Sequence, residues 1–112
     1  MDGKEKILLE NFSEYMDSAE KALKEKKYNV SVTLFFKAIT AASDLFLLRK
    51  EGIVPSSHTD RFRILQSKHE AIYDMVDRDF PFYQDSYTKK MDEEAAKLLK
   101  EDAQTIKKFS EK

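Results

Sequence analysis

His58 lies just ahead of a helical pattern, beside the backbone amides of Thr59 and Asp60 and close to Arg61. The first turn of a helix presents unpaired N–H groups and the positive end of a dipole, so a histidine and an arginine there can hold a phosphate. The plainer alternative for His58 is capping or packing. A second polar feature crosses an otherwise apolar stretch. Asn29, Thr33, Lys37, Thr40 and Asp44 follow i, i+4, i+8, i+11, i+15 spacing, which sets them on one helical face. That stripe is either a slot open to water between neighbouring helices or the polar wall of a ligand groove or subunit interface, with Lys37 as its cation. Tyr83 and Tyr87 belong to an aromatic segment with Phe80 and Phe82. The segment is a plug on one end of a bundle, or a stacking or dimer surface, because amphipathic rings favour interfaces.

Other chemistry is disfavoured by residue type. Cysteine is absent and there are two histidines, which argues against disulfides, thiolate metal sites and structural zinc. Di-iron bundles need inward glutamates and Glu-x-x-His motifs, whereas Pro55 and Gln66 stand three residues before the two histidines. Gly3 and Gly52 are isolated, so no glycine loop cradles a phosphate. No metal and no cofactor is expected. Among many surface carboxylates, Asp44 and Asp102 interrupt apolar patterns; a capping amide or a basic residue is the natural partner for Asp102.

The elements that must position these groups are helical. Tyr28 to Lys50 carries only Lys37 and Asp44 as charges between Val30 and Leu48 and contains no Gly or Pro. A helix apolar over most of its circumference must be surrounded, so this is the central helix. Before it, Lys4 to about Lys26 has an inner face of Leu8, Phe12, Tyr15, Ala19, Ala22 and Leu23, and it ends without a glycine cap. The link of a few residues around Lys27 to Asn29 forces an antiparallel hairpin. Arg49, Lys50, Gly52 and Pro55 stop the central helix, and Ile53 and Val54 are expected to fold back on the bundle. Ser57 to Asp60 resembles a capping box for a third helix reaching about Asp77, in which a break near Ser67 to Glu70 is left open. Asp79-Phe80-Pro81 is expected to end that pattern, and Pro81 to start a short helix through about Lys89. Asp92 caps a last helix with Ala95, Leu98, Leu99, Asp102, Ile106 and Phe109 inward, ending near Ser110.

The bulk numbers agree with this reading. At 112 residues, 41% hydrophobic and 37% charged with two Gly and two Pro, the chain predicts a single all-α domain over residues 1–112. Its architecture is an antiparallel four- to five-helix up-and-down bundle. The formal net charge of −1 sets up no basic field that demands nucleic acid, although a local patch stays open. The apolar runs read as too short and too interrupted to span a bilayer, and the N-terminal residues lack the pattern of a signal peptide. No membrane association and a cytoplasmic location are the resulting expectations.

The stretch SAEKALKEKKYNVSVTLFFKAITAASDLFLLRKEGIVPSSH resembles the first half of HEPN-domain proteins. The matching residues are Leu23, Tyr28, Phe35, Ala38, Ala42, Leu48, Gly52, Ile53 and His58. In the second half Arg78, Asp85, Tyr87 and Asp92 to Ala96 are similar to the archaeal and bacterial branch. The resemblance implies a bundle that dimerises and takes part in nucleotide or RNA chemistry, often beside a nucleotidyltransferase partner in toxin–antitoxin or defence modules. Active members are metal-independent ribonucleases with an Arg and a His four to six residues apart. There the imidazole moves a proton and the guanidinium clamps the phosphate. Arg78 has no His after it. Arg63 and His69 match the spacing, but earlier than the family's pair, and Ile64 replaces the usual Asn. Arg78 is then a phosphate or nucleotide contact, or simply pairs with Asp74 one turn before it. Arg63 and His69 are a catalytic pair, or a surface arginine and a hydrogen-bonded, partly buried histidine. The leading expectation is a non-catalytic homodimeric module binding a nucleotide, RNA or a partner protein. The alternatives are a ribonuclease using Arg63 and His69, or Arg78 with a tyrosine, and a structural helical adaptor.

Overall fold

The computed structural model describes residues 3–112; residues 1 and 2 of the expected domain lie outside the described residues. Five helices follow in order: α1 Gly3–Lys24, α2 Tyr28–Glu51, α3 His58–Lys68, α4 Glu70–Asp85 and α5 Glu93–Ser110. Among the described residues there is no strand. The bundle is all-α and gathered on α2. Val32, Phe35, Ala38, Ile39, Ala42, Leu45 and Leu47 of that helix are completely buried. α1 and α5 cover most of it, α4 covers a further side, and α3 packs chiefly on α4. One expectation is corrected here: α2 is long and apolar enough to cross a membrane by length and composition. However, 72% of its apolar window is buried inside the bundle, as the core helix of a soluble protein would be.

Each helix end has a local cause. α1 closes in a Schellman motif without glycine: Lys27 N–H reaches Ala22 O at 2.8 Å and Lys26 N–H reaches Leu23 O at 3.1 Å. Lys26 takes the left-handed conformation this requires, with φ of 61°. α2 ends on Gly52, φ 73°, whose N–H bonds Leu48 O at 3.0 Å. Ser57 Oγ accepts from Asp60 N–H at 3.1 Å, and Asp60 Oδ2 accepts in return from Ser56 N–H at 3.1 Å, one residue earlier than a standard capping box. Ile53 and Val54, 40% and 37% exposed, do not fold back on the bundle; Pro55 is the buried residue of that loop.

The third helical stretch is two helices, and the break falls on His69. This residue caps both, with φ of −140° and ψ of 66°. Its N–H bonds Leu65 O at 2.7 Å and its carbonyl accepts from Tyr73 N–H at 3.0 Å. Tertiary contacts hold it in place: Nε2 lies 2.9 Å from Glu51 Oε2, and the ring meets Phe46 edge-on. The expected stop before Pro81 is also corrected. α4 runs through Pro81 to Asp85, and no separate helix continues to Lys89. Phe80, Phe82 and Tyr83 pack on the core from both sides of the exposed proline, and this tertiary packing carries the helix past it. Asn29 then fastens the turn to α5. Its Nδ2 donates to Ser86 O at 2.9 Å and Lys89 O at 2.7 Å, and its Oδ1 accepts from Met91 N–H at 3.0 Å. Asp92 caps α5 through Ala95 N–H at 2.8 Å.

Candidate functional site

The polar stripe of α2 divides into three roles. Asn29 and Thr33 hold the α4–α5 turn, Thr33 Oγ1 lying 3.0 Å from Ser86 Oγ. Asp44, 8% exposed, receives Arg61 from α3 as a fork: Nε to Oδ1 at 2.7 Å and Nη2 to Oδ2 at 2.8 Å. Between these two ends, Lys37 and Thr40 face a cleft of about 270 Å³. Phe36 and Tyr15 also line it, with Ser56, Ser57, His58 and Arg61 from the α2–α3 loop and the start of α3, and Tyr83 from α4. The size is near the lower end of the roughly 300–1,000 Å³ typical of small-molecule sites. Four of the six residues expected to bind a ligand, Lys37, His58, Arg61 and Tyr83, therefore meet in one place.

Arg61 orients His58. Its Nη1 lies 2.9 Å from His58 Nδ1, and a guanidinium has only donors, so Nδ1 accepts and the neutral ring keeps its proton on Nε2. Partial burial of the ring, and then the charge of Arg61, hold the His58 pKa below the ordinary histidine value. His58 is an exposed residue, yet its ring leans on aromatic neighbours, 5.6 Å from Phe80 and 6.3 Å from Phe36 between centroids. The Lys37 ammonium makes no hydrogen bond or ion pair among the described residues, whereas the Lys37 carbonyl accepts from Thr40 Oγ1 at 2.8 Å. The cleft thus offers one unpaired ammonium and one imidazole N–H donor, while at the helix start the Ser56 N–H and Oγ are directed at Asp60 Oδ2 and Ser57 Oγ accepts from Asp60 N–H. The ammonium and the imidazole N–H suit an anion.

Tyr83 stacks on Phe36 at 4.8 Å, and its hydroxyl lies 3.1 Å from that of Tyr87. The Tyr87 hydrogen bond, and then burial, push the Tyr83 phenol up to about 12. Tyr87 itself is 72% exposed and outside the cleft. The aromatic segment is accordingly a plug at Phe80, Phe82 and Tyr83, with Tyr87 turned outward.

The remaining candidates lie elsewhere and have partners. Arg63 bonds Asp60 at 2.5 Å and His69 bonds Glu51, so the two point to different carboxylates and neither lines the cleft. Each carboxylate pKa is lowered, Asp60 chiefly by Arg63 and Glu51 chiefly by His69. Arg78 pairs with Asp102 of α5 at 2.5 Å and with Asp79 at 3.4 Å, and not with Asp74. Asp102 thus has a basic partner. Asp79 had not been singled out from the sequence. The available signal was its place after Ile72 and Val76 in the inward row of α4. It is fully buried, and desolvation, then the neighbouring Asp102 carboxyl, raise its pKa to about 8.

Comparison with protein families, with curated proteins and with solved structures finds no match. The cleft and its donors must therefore stand on their own chemistry.

Proposed function

We propose that this chain is a HEPN-like, non-catalytic binding module whose cleft takes the phosphate of a nucleotide or of an RNA end. The observation that carries the reading is the unpaired Lys37 ammonium beside the Nε2–H of His58, in a cleft walled by Tyr83 and Tyr15. The ammonium supplies the charge. The neutral imidazole supplies a directed donor, fixed by Arg61. The tyrosines offer ring faces to a base or sugar. Arg63 and His69 have separate partners, which favours binding over cleavage in this reading. The homodimer and the nucleotidyltransferase partner implied by the HEPN resemblance belong to the same proposal.

The test is titration of the protein with nucleoside monophosphates and short RNAs, followed by amide NMR shifts. Shifts should centre on Lys37, Ser57, His58 and Tyr83. Lys37→Ala should weaken binding at least tenfold, and His58→Ala severalfold. Saturating shifts elsewhere, or affinity unchanged in Lys37→Ala, would refute the assignment. RNA incubated with the protein and a chelator should stay intact; cleavage lost in Arg63→Ala/His69→Ala would favour the ribonuclease instead. Light scattering reads the dimer, and a monomer at assay concentration removes that part of the proposal.

A further inference from the structure

Arg78, Asp79 and Asp102 form a polar cluster where α4 meets α5. Asp79 is fully buried; its Oδ1 lies 3.4 Å from Arg78 Nε and its Oδ2 has no hydrogen-bond partner. Asp102 is 7% exposed and accepts from Arg78 Nη2 at 2.5 Å. One guanidinium thus faces two buried carboxylates. With both ionised, one negative charge stays uncompensated in a low-dielectric interior, and an acceptor oxygen stays unpaired. One proton removes both problems, because a protonated Asp79 is neutral and its O–H can donate to Asp102. We infer that Asp79 and Asp102 share one proton, that this proton latches α4 to α5, and that its loss in alkali loosens α4 from the bundle.

The charged groups that act on Asp79 are Arg78 and Asp102, and those of the neighbouring helices are engaged elsewhere, Glu20 of α1 with Lys100 of α5 at 3.3 Å among them. From α2, Asp44 is paired with Arg61, and Lys37 sits in the cleft. From α3, His58 and Arg61 bond each other. The α4–α5 contact is short, and Arg78 of α4 bonds Asp102 of α5 within it. The turn that carries Asp79 also carries Phe80, and Tyr83 follows one turn on; both rings pack on Phe36. Releasing the latch would therefore disturb a wall of the cleft, whatever the cleft binds.

The sign of the effect follows from the folded state holding a proton that the unfolded chain has lost. The Asp79 pKa rises from an ordinary 3.8 to about 8 on folding. Its contribution to stability is complete below the unfolded value, declines as pH rises towards the folded value, and levels off above it. The experiment is a carboxyl ¹³C NMR titration of the full chain from pH 4 to 9.5, with thermal unfolding of wild type, Asp79→Asn and Asp102→Asn. The Asp79 resonance should stay protonated at pH 6 and titrate near pH 8. Wild-type melting should fall between pH 5 and 8.5, whereas Asp79→Asn, whose amide replaces the shared proton as donor, should melt almost independently of pH in that range. Asp102→Asn should move the Asp79 titration down by more than one unit. Titration of Asp79 in the ordinary carboxylate range, or equal pH dependence in wild type and Asp79→Asn, would overturn the inference. If Asp79→Asn does not fold, the wild-type and Asp102→Asn titrations decide it alone.

Discussion

Arg61 serves two neighbours at once. Its fork closes on Asp44 inside the bundle, and its remaining nitrogen holds His58 at the mouth of the cleft. A buried ion pair adds little net stability over well-packed apolar residues, but removing one partner strands the other. Asp44→Ala should therefore destabilise the chain by about 3–5 kcal/mol, because it leaves a buried guanidinium unpaired. The double variant Asp44→Leu/Arg61→Met should fold with stability close to wild type. Urea unfolding midpoints measure both. The double variant should also free the His58 ring from its fixed tautomer, so its imidazole shifts should report both nitrogens exchanging their proton. Asp44, Arg61 and His58 were each visible in the sequence as unusual residues. Their connection was not, because Asp44 and Arg61 lie on different helices and only the fold brings them together.

Among the elements, helix ends were legible wherever a local rule governs them. Gly52, Ser57 and Asp92 act as their residue types predict. Two boundaries were set instead by distant contacts. Glu51 and Phe46 fix the break at His69, and the aromatic packing around Pro81 carries α4 past a residue that ordinarily stops a helix. The end of α1 lies between these cases, since Lys26 adopts a glycine conformation without being glycine. An L-residue in the left-handed region costs roughly 1–2 kcal/mol, so Lys26→Gly should stabilise the protein by about 1 kcal/mol after the extra unfolded-chain entropy of glycine. Gly52→Ala should do the reverse by a similar amount. Nothing lies within 4 Å of its added Cβ, so backbone strain alone sets the cost. Denaturant midpoints of the two variants, shifted in opposite directions, check this. A destabilised Lys26→Gly would mean that the lysine side chain contributes more than its backbone strain costs.

On the scale of the whole molecule, the contacts divide the bundle into unequal layers. α1 and α5 each share an extensive surface with α2, whereas α4 rests on α2 through a narrower strip, touches α5 briefly, and carries α3 on its other side. Regions with fewer buried contacts open at lower free energy than the global unfolding. α3 and α4 should then exchange their amide hydrogens through a partial opening, while Val32 to Leu47 exchange only on complete unfolding. The cleft lies across this division, with Lys37 and Thr40 on the firm layer and His58 and Tyr83 on the looser one. A ligand bridging Lys37 to His58 binds only the closed form, so it should raise the free energy of the partial opening and of global unfolding alike. By mass action a ligand at 100 times its dissociation constant adds about 2.7 kcal/mol to that opening. Hydrogen exchange with and without a saturating nucleoside monophosphate measures this directly. α3 and α4 amides should slow by about a hundredfold at that ratio. The slowest α2 amides already report global unfolding, and they should slow only by the same linkage. Uniform exchange across all five helices without ligand would show instead that the two layers unfold as one unit.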